Sequence, residues 1–420
     1  MKVKLLTANG IVSVIDYMLS VCSAKLHHYV VQVMFSRLPK LKQAYYLINL
    51  IYGRATGNTK VPKLHISDKG IINDLKIEML TPPFIQPDIS DHLMVERIFV
   101  SFLKSKNDQK DKDVIFKPST MWQKYLDSVY PNYSETDIDE FNFFLKNFGT
   151  GSLNTGINWG WLVSKYAKTL SSRKYFEMMI IGQKIDWWLK NESKGREISA
   201  LSQPRHGNQW GANVNNNFIA YESVLNEFYS REISSLVRND RPVILEIGAG
   251  YGILFYYTSK AFKNFCYLDF DLPEVLCCAT YYLMKCFPDK KFLLYGEGKM
   301  DEEAIKENDF IFMPSYVIKE IPDNSIDICI NMSSLSEMKA ETCRMFLREI
   351  CRTSYAFWYL NYENNRSEYE DGTKGLLNKD FLVDDAKFDL IKRSVNNFNT
   401  IGGQEEEPIN NDYSYYYKRK

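Results

Sequence analysis

The sequence predicts an α/β fold, in which a doubly wound, mostly parallel sheet follows a mainly α-helical N-terminal region. From Arg241 onward, short apolar runs alternate with amphipathic segments at helical spacing, which is the pattern of βαβ units. The first of these runs ends in a glycine-rich turn. Before about residue 200, apolar and aromatic residues recur mostly at the spacing of helices.

Five apolar runs predict the parallel strands, and the segments between them predict helices. The predicted strands are Val243–Ile247, Phe265–Asp271, Phe310–Ser315, Ile326–Asn331 and Tyr355–Asn361. The predicted helices are Phe218–Leu236, Ile253–Phe262, Pro273–Phe287 and Lys339–Thr353. Lys291–Tyr295 predicts a short extra strand, and Phe388–Lys392 with Tyr413–Tyr417 predict an antiparallel pair that closes the sheet. The ligand of such a sheet binds at the carboxyl ends of its strands.

We divide the chain into three parts. Residues 1–110 form a helical region that is basic at its start, residues 111–215 a helical, aromatic-rich substrate or lid region, and residues 216–420 the α/β domain. The charged run Lys104–Asp113 is interpreted as an exposed linker at the first boundary.

Charge argues against nucleic acid as a partner. The 420 residues carry 52 basic and 52 acidic side chains, and no nucleic-acid-binding motif appears. Residues 1–60 differ, with eight Lys or Arg against the single acid Asp16. That segment is either a peripheral contact with an anionic membrane surface or a helical subdomain whose basic residues are solvated.

The eight cysteines include no C-x-x-C pair, which indicates reduced thiols rather than disulfides or a zinc site. Asn9, Gly10 and Asp16 interrupt the apolar run Leu5–Val21, so it is a poor signal peptide and a poor membrane span. We therefore expect a cytoplasmic protein.

The glycine turn is the strongest motif. Val243–Ile247 is followed by Gly248, Gly250 and Gly252, and glycine in such a turn lets a ligand approach the main chain. A dinucleotide fingerprint of the G-x-G-x-x-G type would need its third glycine at Ile253. The spacing therefore disfavours a dinucleotide.

The pattern E-x-G-x-G-x-G, which begins at Glu246, resembles motif I of class I S-adenosylmethionine-dependent methyltransferases. The resemblance implies a Rossmann-like domain with a mostly parallel seven-stranded sheet and S-adenosylmethionine as cofactor. The residues expected to bind the cofactor are Glu246, Gly248, Gly250, Gly252, Asp271, Leu272, Ser315 and Asn331.

An acid at the end of the second strand of a βαβ unit lies where a cofactor's ribose hydroxyls bind. Asp269 and Asp271 compete for that role. Asp271 begins a D-L-P sequence similar to that of many small-molecule O-methyltransferases, so we assign it the ribose. Asp269 is then a solvated or backbone-bonded strand residue.

Three further patterns resemble a bacterial sugar O-methyltransferase family over about residues 120–365. They are N-x-x-S-x-x-E-M from Asn331, D-L-P-E-V-L from Asp271 and G-N-Q-W-G from Gly207. The resemblance implies that Glu337 and the loop of Asn208, Gln209 and Trp210 face a sugar acceptor, a nucleotide-sugar or a surface glycan. It also places Asn331 near the methionine end of the cofactor. Gln209 departs from the family, which has proline there.

Methyl transfer to a hydroxyl needs alignment and a general base. His206 and Glu337 are the candidate bases, although His206 can equally be structural and Glu337 can cap the following helix. No metal site is predicted. A divalent ion assisting an acceptor diol stays open, since Glu337, Asp323 and Glu363 are only suggestive ligands.

Two other functions stay open at this point. The acceptor can be a polyketide, a phenolic compound or another small molecule, with the same chemistry. Alternatively the chain is a non-catalytic, methyltransferase-like scaffold that docks through its basic N-terminal segment. An open glycine turn and Asp271 disfavour the scaffold, because a scaffold has no physical need for them.

Overall fold

The computed structural model describes most of the chain from residue 77 onward, in one compact unit. The described residues are 77–80, 84–87, 89–130, 133–150, 153, 157, 181–364, 366, 368, 372, 374–396 and 412–420. The basic segment 1–60, for which we predict either a membrane contact or a solvated subdomain, lies outside them. None of the helices within these ranges is long and apolar enough to span a bilayer.

Nine helices lie within the described ranges. They are α1 His92–Gln109, α2 Thr120–Val129, α3 Ile138–Asn147, α4 Gln183–Asn191, α5 Ser223–Leu236, α6 Ile253–Ser259, α7 Pro273–Cys286, α8 Glu302–Glu307 and α9 Ala340–Thr353. Short 3₁₀ turns also occur, three of them next to the candidate site at Val114–Phe116, Ser315–Glu320 and Ser334–Glu337.

The described strands form two sheets. They are β1 Ile77–Leu80, β2 Gly211–Val214, β3 Asn217–Ala220, β4 Val243–Ile247, β5 Cys266–Asp271, β6 Phe292–Leu294, β7 Phe310–Pro314, β8 Ile328–Met332, β9 Ala356–Tyr362, β10 Phe388–Val395 and β11 Asp412–Arg419. Strands β1, β2 and β3 make a small antiparallel sheet, and the others make a large one in the order β10-β11-β9-β8-β4-β5-β7-β6.

The large sheet confirms the predicted mostly parallel architecture. Six of its strands run parallel, and β11 is antiparallel to both of its neighbours, β9 and β10. The expected count of seven strands is wrong, because the short run at Phe292–Leu294 pairs with β7 and adds an eighth. Chain order reverses direction at β4, which lies between β5 and β8. A crevice is expected at such a switch point, at the carboxyl ends of the strands.

Side chains alternate between the two faces of the sheet, as the period of a strand requires. On β4, Ile244 faces a large core shared with the N-terminal helices, whereas Leu245 and Ile247 face a second core under α9. Both faces are therefore buried, which is why the central strands are continuous apolar runs.

Three sequence predictions need correction. The predicted linker Lys104–Asp113 is wrong in its first half, because α1 continues to Gln109 and packs against the α/β domain. Ser105 and Lys106 contact that domain: the Ser105 carbonyl accepts a hydrogen bond from Tyr316 Oη at 2.9 Å, and Lys106 forms an ion pair with Glu274. The N-terminal region, predicted as mainly helical, also contributes the small antiparallel sheet.

The third correction concerns the start of the predicted helix Phe218–Leu236, which is strand β3 as far as Ala220. Asn215 and Asn216 adopt positive φ angles of 48° and 66°, and β2 pairs with β3 directly across them. Two such residues make the tight turn of a hairpin, and Asn tolerates this conformation better than most residues. The helix α5 begins only at Ser223.

Candidate functional site

The glycine turn after β4 has the backbone that its sequence predicts. Gly248, Gly250 and Gly252 have φ angles of 74°, 63° and 82°, a left-handed conformation that side chains disfavour. A Cβ at Gly248 would overlap Ser334, and one at Gly250 would lie 3.0 Å from the carbonyl oxygen of Ile157. The Gly248 N–H donates to the Phe270 carbonyl at 3.0 Å, which ties the turn to β5.

A cavity of about 850 Å³ lies over this turn. It occupies the carboxyl ends of β4, β5, β7 and β8, where the sheet topology predicts a ligand. Its floor includes Glu246, Gly248, Gly250, Asp271, Leu272 and Ser315. Its other walls include Lys117, Trp122, Tyr125, Lys184, Glu222, Asn226, Glu337, Lys339 and Arg366.

Asp271 lies in the floor at the end of β5. Its Oδ1 accepts a hydrogen bond from the Leu272 N–H at 2.7 Å. Burial raises the pKa of Asp271 to about 7, while hydrogen bonds from the backbone N–H groups of Leu272 and Gly250 oppose that shift.

Asp269 points elsewhere. It is fully buried, it does not line the cavity, and neither oxygen makes a hydrogen bond of good geometry within the described ranges. Burial, and then the charges of Asp271 and Glu246, raise its pKa well above the ordinary value. Of the two alternatives for Asp269, a solvated side chain is wrong, whereas a backbone-bonded one agrees with the Ala249 N–H, whose interaction with this carboxylate opposes the rise of its pKa.

Glu246 lies beneath the turn and is almost completely buried. It accepts a hydrogen bond from Tyr267 Oη at 2.7 Å, and the Tyr267 ring stacks on Phe255 with centroids 3.8 Å apart. Burial raises the pKa of Glu246 to about 7, although the bond from Tyr267 lowers it.

Glu337 stands on the opposite wall. It ends the 3₁₀ turn that follows β8, and its Oε2 accepts a hydrogen bond from the Trp122 indole N–H at 3.0 Å. Burial raises the pKa of Glu337 to about 7, and the indole bond opposes the rise. The alternative role as a helix cap is wrong, because α9 has no side-chain capping bond.

Oε1 of Glu337 makes no hydrogen bond or ion pair with any residue that the structure describes. Among the carboxylates that line the cavity, Asp271 on the floor and Glu337 on the opposite wall are the two placed to accept hydrogen bonds from a ligand.

The structure does not bring His206 into the cavity. Its ring lies against Tyr282 with centroids 6.3 Å apart, and burial followed by the charge of Lys285 lowers its pKa. This position contradicts its assignment as the general base, because no lining residue of the cavity is within that loop.

The predicted substrate loop of Asn208, Gln209 and Trp210 is also outside the cavity. All three are buried, and their polar groups serve the packing of the loop. Asn208 Nδ2 donates to Asn147 Oδ1 at 3.1 Å, Gln209 Nε2 donates to the His206 carbonyl, and the Trp210 N–H donates to the Gly149 carbonyl at 3.2 Å. The loop supports α3 rather than facing an acceptor.

Asn331 and Gly252 are the remaining predicted residues that do not line the cavity. Asn331 is buried; its Nδ2 donates to the Ile247 carbonyl at 2.7 Å and to Ser334 Oγ at 2.5 Å, and its Oδ1 accepts from Asn361 Nδ2 at 2.8 Å. Its amide thus holds the loop after β8 onto the glycine turn. Gly252 begins α6.

Sequence reasoning missed the helical wall of the site. Trp122 and Tyr125 belong to the region predicted as the substrate or lid region, but neither is among the predicted site residues, and both line the cavity, with ring centroids 6.0 Å apart. Lys184 and Glu222 were not singled out; the Lys184 ammonium lies 4.0 Å from the Tyr221 ring centroid. Trp122 and Tyr125 are three positions apart on one helix, and this spacing is the same for a helix face that lines a cavity and for one that packs in a core.

Metal ligands do not converge in the part of the chain that the structure describes: no group of three or more His, Cys, Asp or Glu side chains is placed to hold an ion. Asp323 forms an ion pair with Arg352 at 2.5 Å, and Glu363 forms one with Arg393 at 2.7 Å. The seven described cysteines are all free thiols, as predicted.

Comparison with known proteins gives structural likenesses only. No protein-family model matches the chain, and no curated protein matches it. The resemblance to a sugar O-methyltransferase family therefore stays a prediction from the quoted motifs.

Among solved structures, the small RNA methyltransferase HEN1 is 13% identical over 47% of this chain, with a TM-score of 0.34, and the match spans only 25% of the HEN1 chain. The [4+2]-cyclase SpnF is 14% identical over 48% of this chain and 82% of its own, with a TM-score of 0.32. A SAM-dependent methyltransferase from Aquifex aeolicus is 14% identical over 46% of this chain and 92% of its own, with a TM-score of 0.29.

Proposed function

We propose that this protein is an S-adenosylmethionine-dependent O-methyltransferase that acts on a sugar hydroxyl. The observation that carries the proposal is one cavity with an open glycine turn and Asp271 on its floor and a second carboxylate, Glu337, on the opposite wall.

The residues present fit the cofactor. Gly248 and Gly250 leave the main chain accessible where a Cβ would collide with neighbouring atoms. Asp271 presents a carboxylate that can accept hydrogen bonds from ribose hydroxyls, each contributing roughly 1.5–3 kcal/mol if the carboxylate is charged. A volume of about 850 Å³ is within the range of small-molecule sites. When bound, S-adenosylmethionine supplies a methyl group activated by a positively charged sulfur.

The acceptor side of the site supplies a base. Glu337 lines the cavity, and the Trp122 indole binds its Oε2, so that Oε1 keeps its capacity to accept a proton. Oε1 of Glu337 would accept the proton of the acceptor hydroxyl while that oxygen is methylated. A base with a pKa of about 7 is suited to this role near neutral pH, and general-base catalysis contributes roughly 10²–10⁴-fold.

The sugar is supported by the sequence motifs rather than by the fold. Methylation of a polyketide, a phenolic compound or another small molecule would need the same cofactor site and the same base. The proposed division into a helical N-terminal region to residue 110, a substrate or lid region to 215 and a methyltransferase domain beyond it accounts for the helical wall at Trp122. A cytoplasmic location also stays a proposal.

Calorimetry with S-adenosylhomocysteine tests the cofactor assignment. We expect Asp271→Ala to weaken binding by about tenfold or more, because it removes charged hydrogen bonds. Asp269→Asn, at a buried position outside the cavity, is the matched control and should bind normally. Unchanged affinity in Asp271→Ala, or no binding by the wild type, would leave the chain as a scaffold.

Transfer of a labelled methyl group separates the acceptor classes. Purified protein is incubated with labelled cofactor and either nucleotide-sugars, glycans or phenolic compounds. Glu337→Gln should retain S-adenosylhomocysteine binding and lose roughly 10²–10⁴-fold in transfer rate. Label in the phenolic pool alone would reject the sugar.

A further inference from the structure

Two lysines line the acceptor side of the cavity. Lys117 directly follows the 3₁₀ turn Val114–Phe116, and Lys339 directly precedes α9. Thr342 Oγ1 donates to the Ile115 carbonyl at 2.7 Å, which holds these two segments together. The lysines therefore approach the same end of the cavity from two different elements.

Neither ammonium group forms an ion pair with a carboxylate in the part of the chain that the structure describes. Within the described ranges, the side chains of Lys117 and Lys339 make no ion pair and no hydrogen bond. The other cations of the cavity are engaged: Arg366 forms an ion pair with Asp380 at 2.7 Å, and Lys184 lies over the Tyr221 ring beside Glu222. Lys117 and Lys339 are thus the two lysines at this end of the cavity that stay available to an anionic ligand.

Glu337 limits where an anion can lie. Its carboxylate is two positions before Lys339 and is turned toward Trp122. An anionic group placed against Glu337 would be repelled once this carboxylate is ionised. An acceptor that satisfies both features has its reacting hydroxyl at Glu337 and its negative charge some distance away, at the lysines.

We propose that the acceptor is a phosphorylated sugar whose phosphate binds Lys117 and Lys339. This inference rests on the proposed function and narrows its substrate class from sugars in general to glycosyl phosphates, including nucleotide-linked ones. Lysine binds phosphate as a mobile point charge and needs no fixed geometry. The charge favours these acceptors over a neutral glycan.

Titration of the full-length protein with uridine diphosphate and with inorganic pyrophosphate tests the proposal. Each probe is titrated with and without S-adenosylhomocysteine present, at low and at moderate salt. We expect binding by the wild type that weakens with salt, and a loss of about tenfold or more in Lys117→Met and in Lys339→Met. Lys418→Met, which changes an exposed lysine outside the cavity, should bind like the wild type.

The probes also distinguish the source of the phosphate. Equal binding of pyrophosphate and uridine diphosphate assigns the lysines to phosphate alone, and binding of uridine diphosphate alone assigns them to a nucleotide-linked sugar. No binding of either probe, or equal affinity in the variants and the wild type, overturns the proposal. S-Adenosylhomocysteine affinity is measured separately in every variant, so a failure of the cofactor assignment is recognised on its own.

Discussion

At the residue scale, the contact between Trp122 and Glu337 has the most direct functional consequence. A single indole N–H joins the N-terminal helical wall to the candidate base. Because the bond stabilises the charged carboxylate, it lowers the pKa that burial raises. Trp122 is thus a positioning residue that acts through Glu337.

Trp122→Phe removes the donor and retains an aromatic ring. A base must be deprotonated, so activity should rise with pH through about 7 in the wild type. In the variant the pKa of Glu337 rises further, and the acidic limb of the kcat/KM profile should move to higher pH. The pH profile of methyl transfer is the measurement, with Trp187→Phe as the control for loss of an indole outside the cavity. A profile that falls in amplitude without moving would contradict this role.

The buried carboxylate of Glu246 makes stability depend on pH. Its folded-state pKa of about 7 exceeds the ordinary value of 4.5, so the folded state binds the proton more tightly than the unfolded state. The contribution of Glu246 to the free energy of unfolding is therefore fully present below about pH 4.5 and is lost as the pH rises to about 7.

Glu246→Gln should therefore stabilise the protein at pH 8, by about 1–3 kcal/mol. Glutamine carries no charge to bury, and its amide oxygen can accept the hydrogen bond from Tyr267. Thermal unfolding at pH 8 and at pH 4.5 measures the effect, and the difference between variant and wild type should shrink toward zero at the lower pH. A lower melting temperature for the variant at pH 8 would count against burial as the cause.

The sequence predicted the residues on the floor of the cavity correctly, but it wrongly placed the loop of His206 in the site. Asp271 ends β5, and the glycines and Glu337 lie in the loops after β4 and β8. Because the carboxyl ends of parallel strands meet at one edge of the sheet, these residues were expected to lie close together. His206 has no such constraint, because its loop is more than thirty residues before β4. The position of this loop is set by the contact of Asn208 with Asn147 and by that of His206 with Tyr282, and both partners are distant in the sequence.

At the element scale, the β2–β3 hairpin shows where local patterns mislead. Phe218 and Ile219 fit the apolar face of a helix, and they were predicted as its start. Asn215 and Asn216 override that pattern by turning the chain through two left-handed residues. The run of three asparagines, 215–217, was the available signal for the turn.

Substitution of Asn216 tests the importance of this turn. Asn216→Val should destabilise the protein by about 1–2 kcal/mol, because a β-branched residue is strained at a φ of 66°. Glycine tolerates positive φ, so the free energy of unfolding of Asn216→Gly should lie within about 0.5 kcal/mol of that of the wild type. Urea unfolding compares the three proteins, and equal midpoints for the Val and Gly variants would show that the turn does not constrain the fold.

At the scale of the whole molecule, α1 anchors the N-terminal helices to the α/β domain. Asp91, just before α1, forms ion pairs with Lys285 on α7 at 2.6 Å and with Lys146 on α3 at 3.4 Å. Farther along α1, Arg97 pairs with Glu297 at 2.6 Å. None of these three partners was predictable from the sequence, because the pairings depend on the docking of elements that are distant in the chain.

Asp91→Asn should destabilise the protein by about 3 kcal/mol, because it removes the buried carboxylate charge that pairs with both Lys146 and Lys285. Asp289→Asn, at an exposed position on the same domain, should change stability by less than about 0.5 kcal/mol. Chemical denaturation monitored by tryptophan fluorescence compares the two. Equal stability of both variants would show that this buried cluster is not an anchor.

The order β10-β11-β9 also governs how the polypeptide is assembled on the ribosome. Residues 412–419 occupy the slot between two strands that are synthesised before them and that share no hydrogen bonds with each other. Until that segment leaves the exit tunnel, β9 presents an open edge with free amide and carbonyl groups. A nascent chain halted shortly before residue 412 would therefore expose an unpaired strand edge that can pair with other chains. Chaperones that shield such edges would bind this chain in preference to one in which β11 is in place.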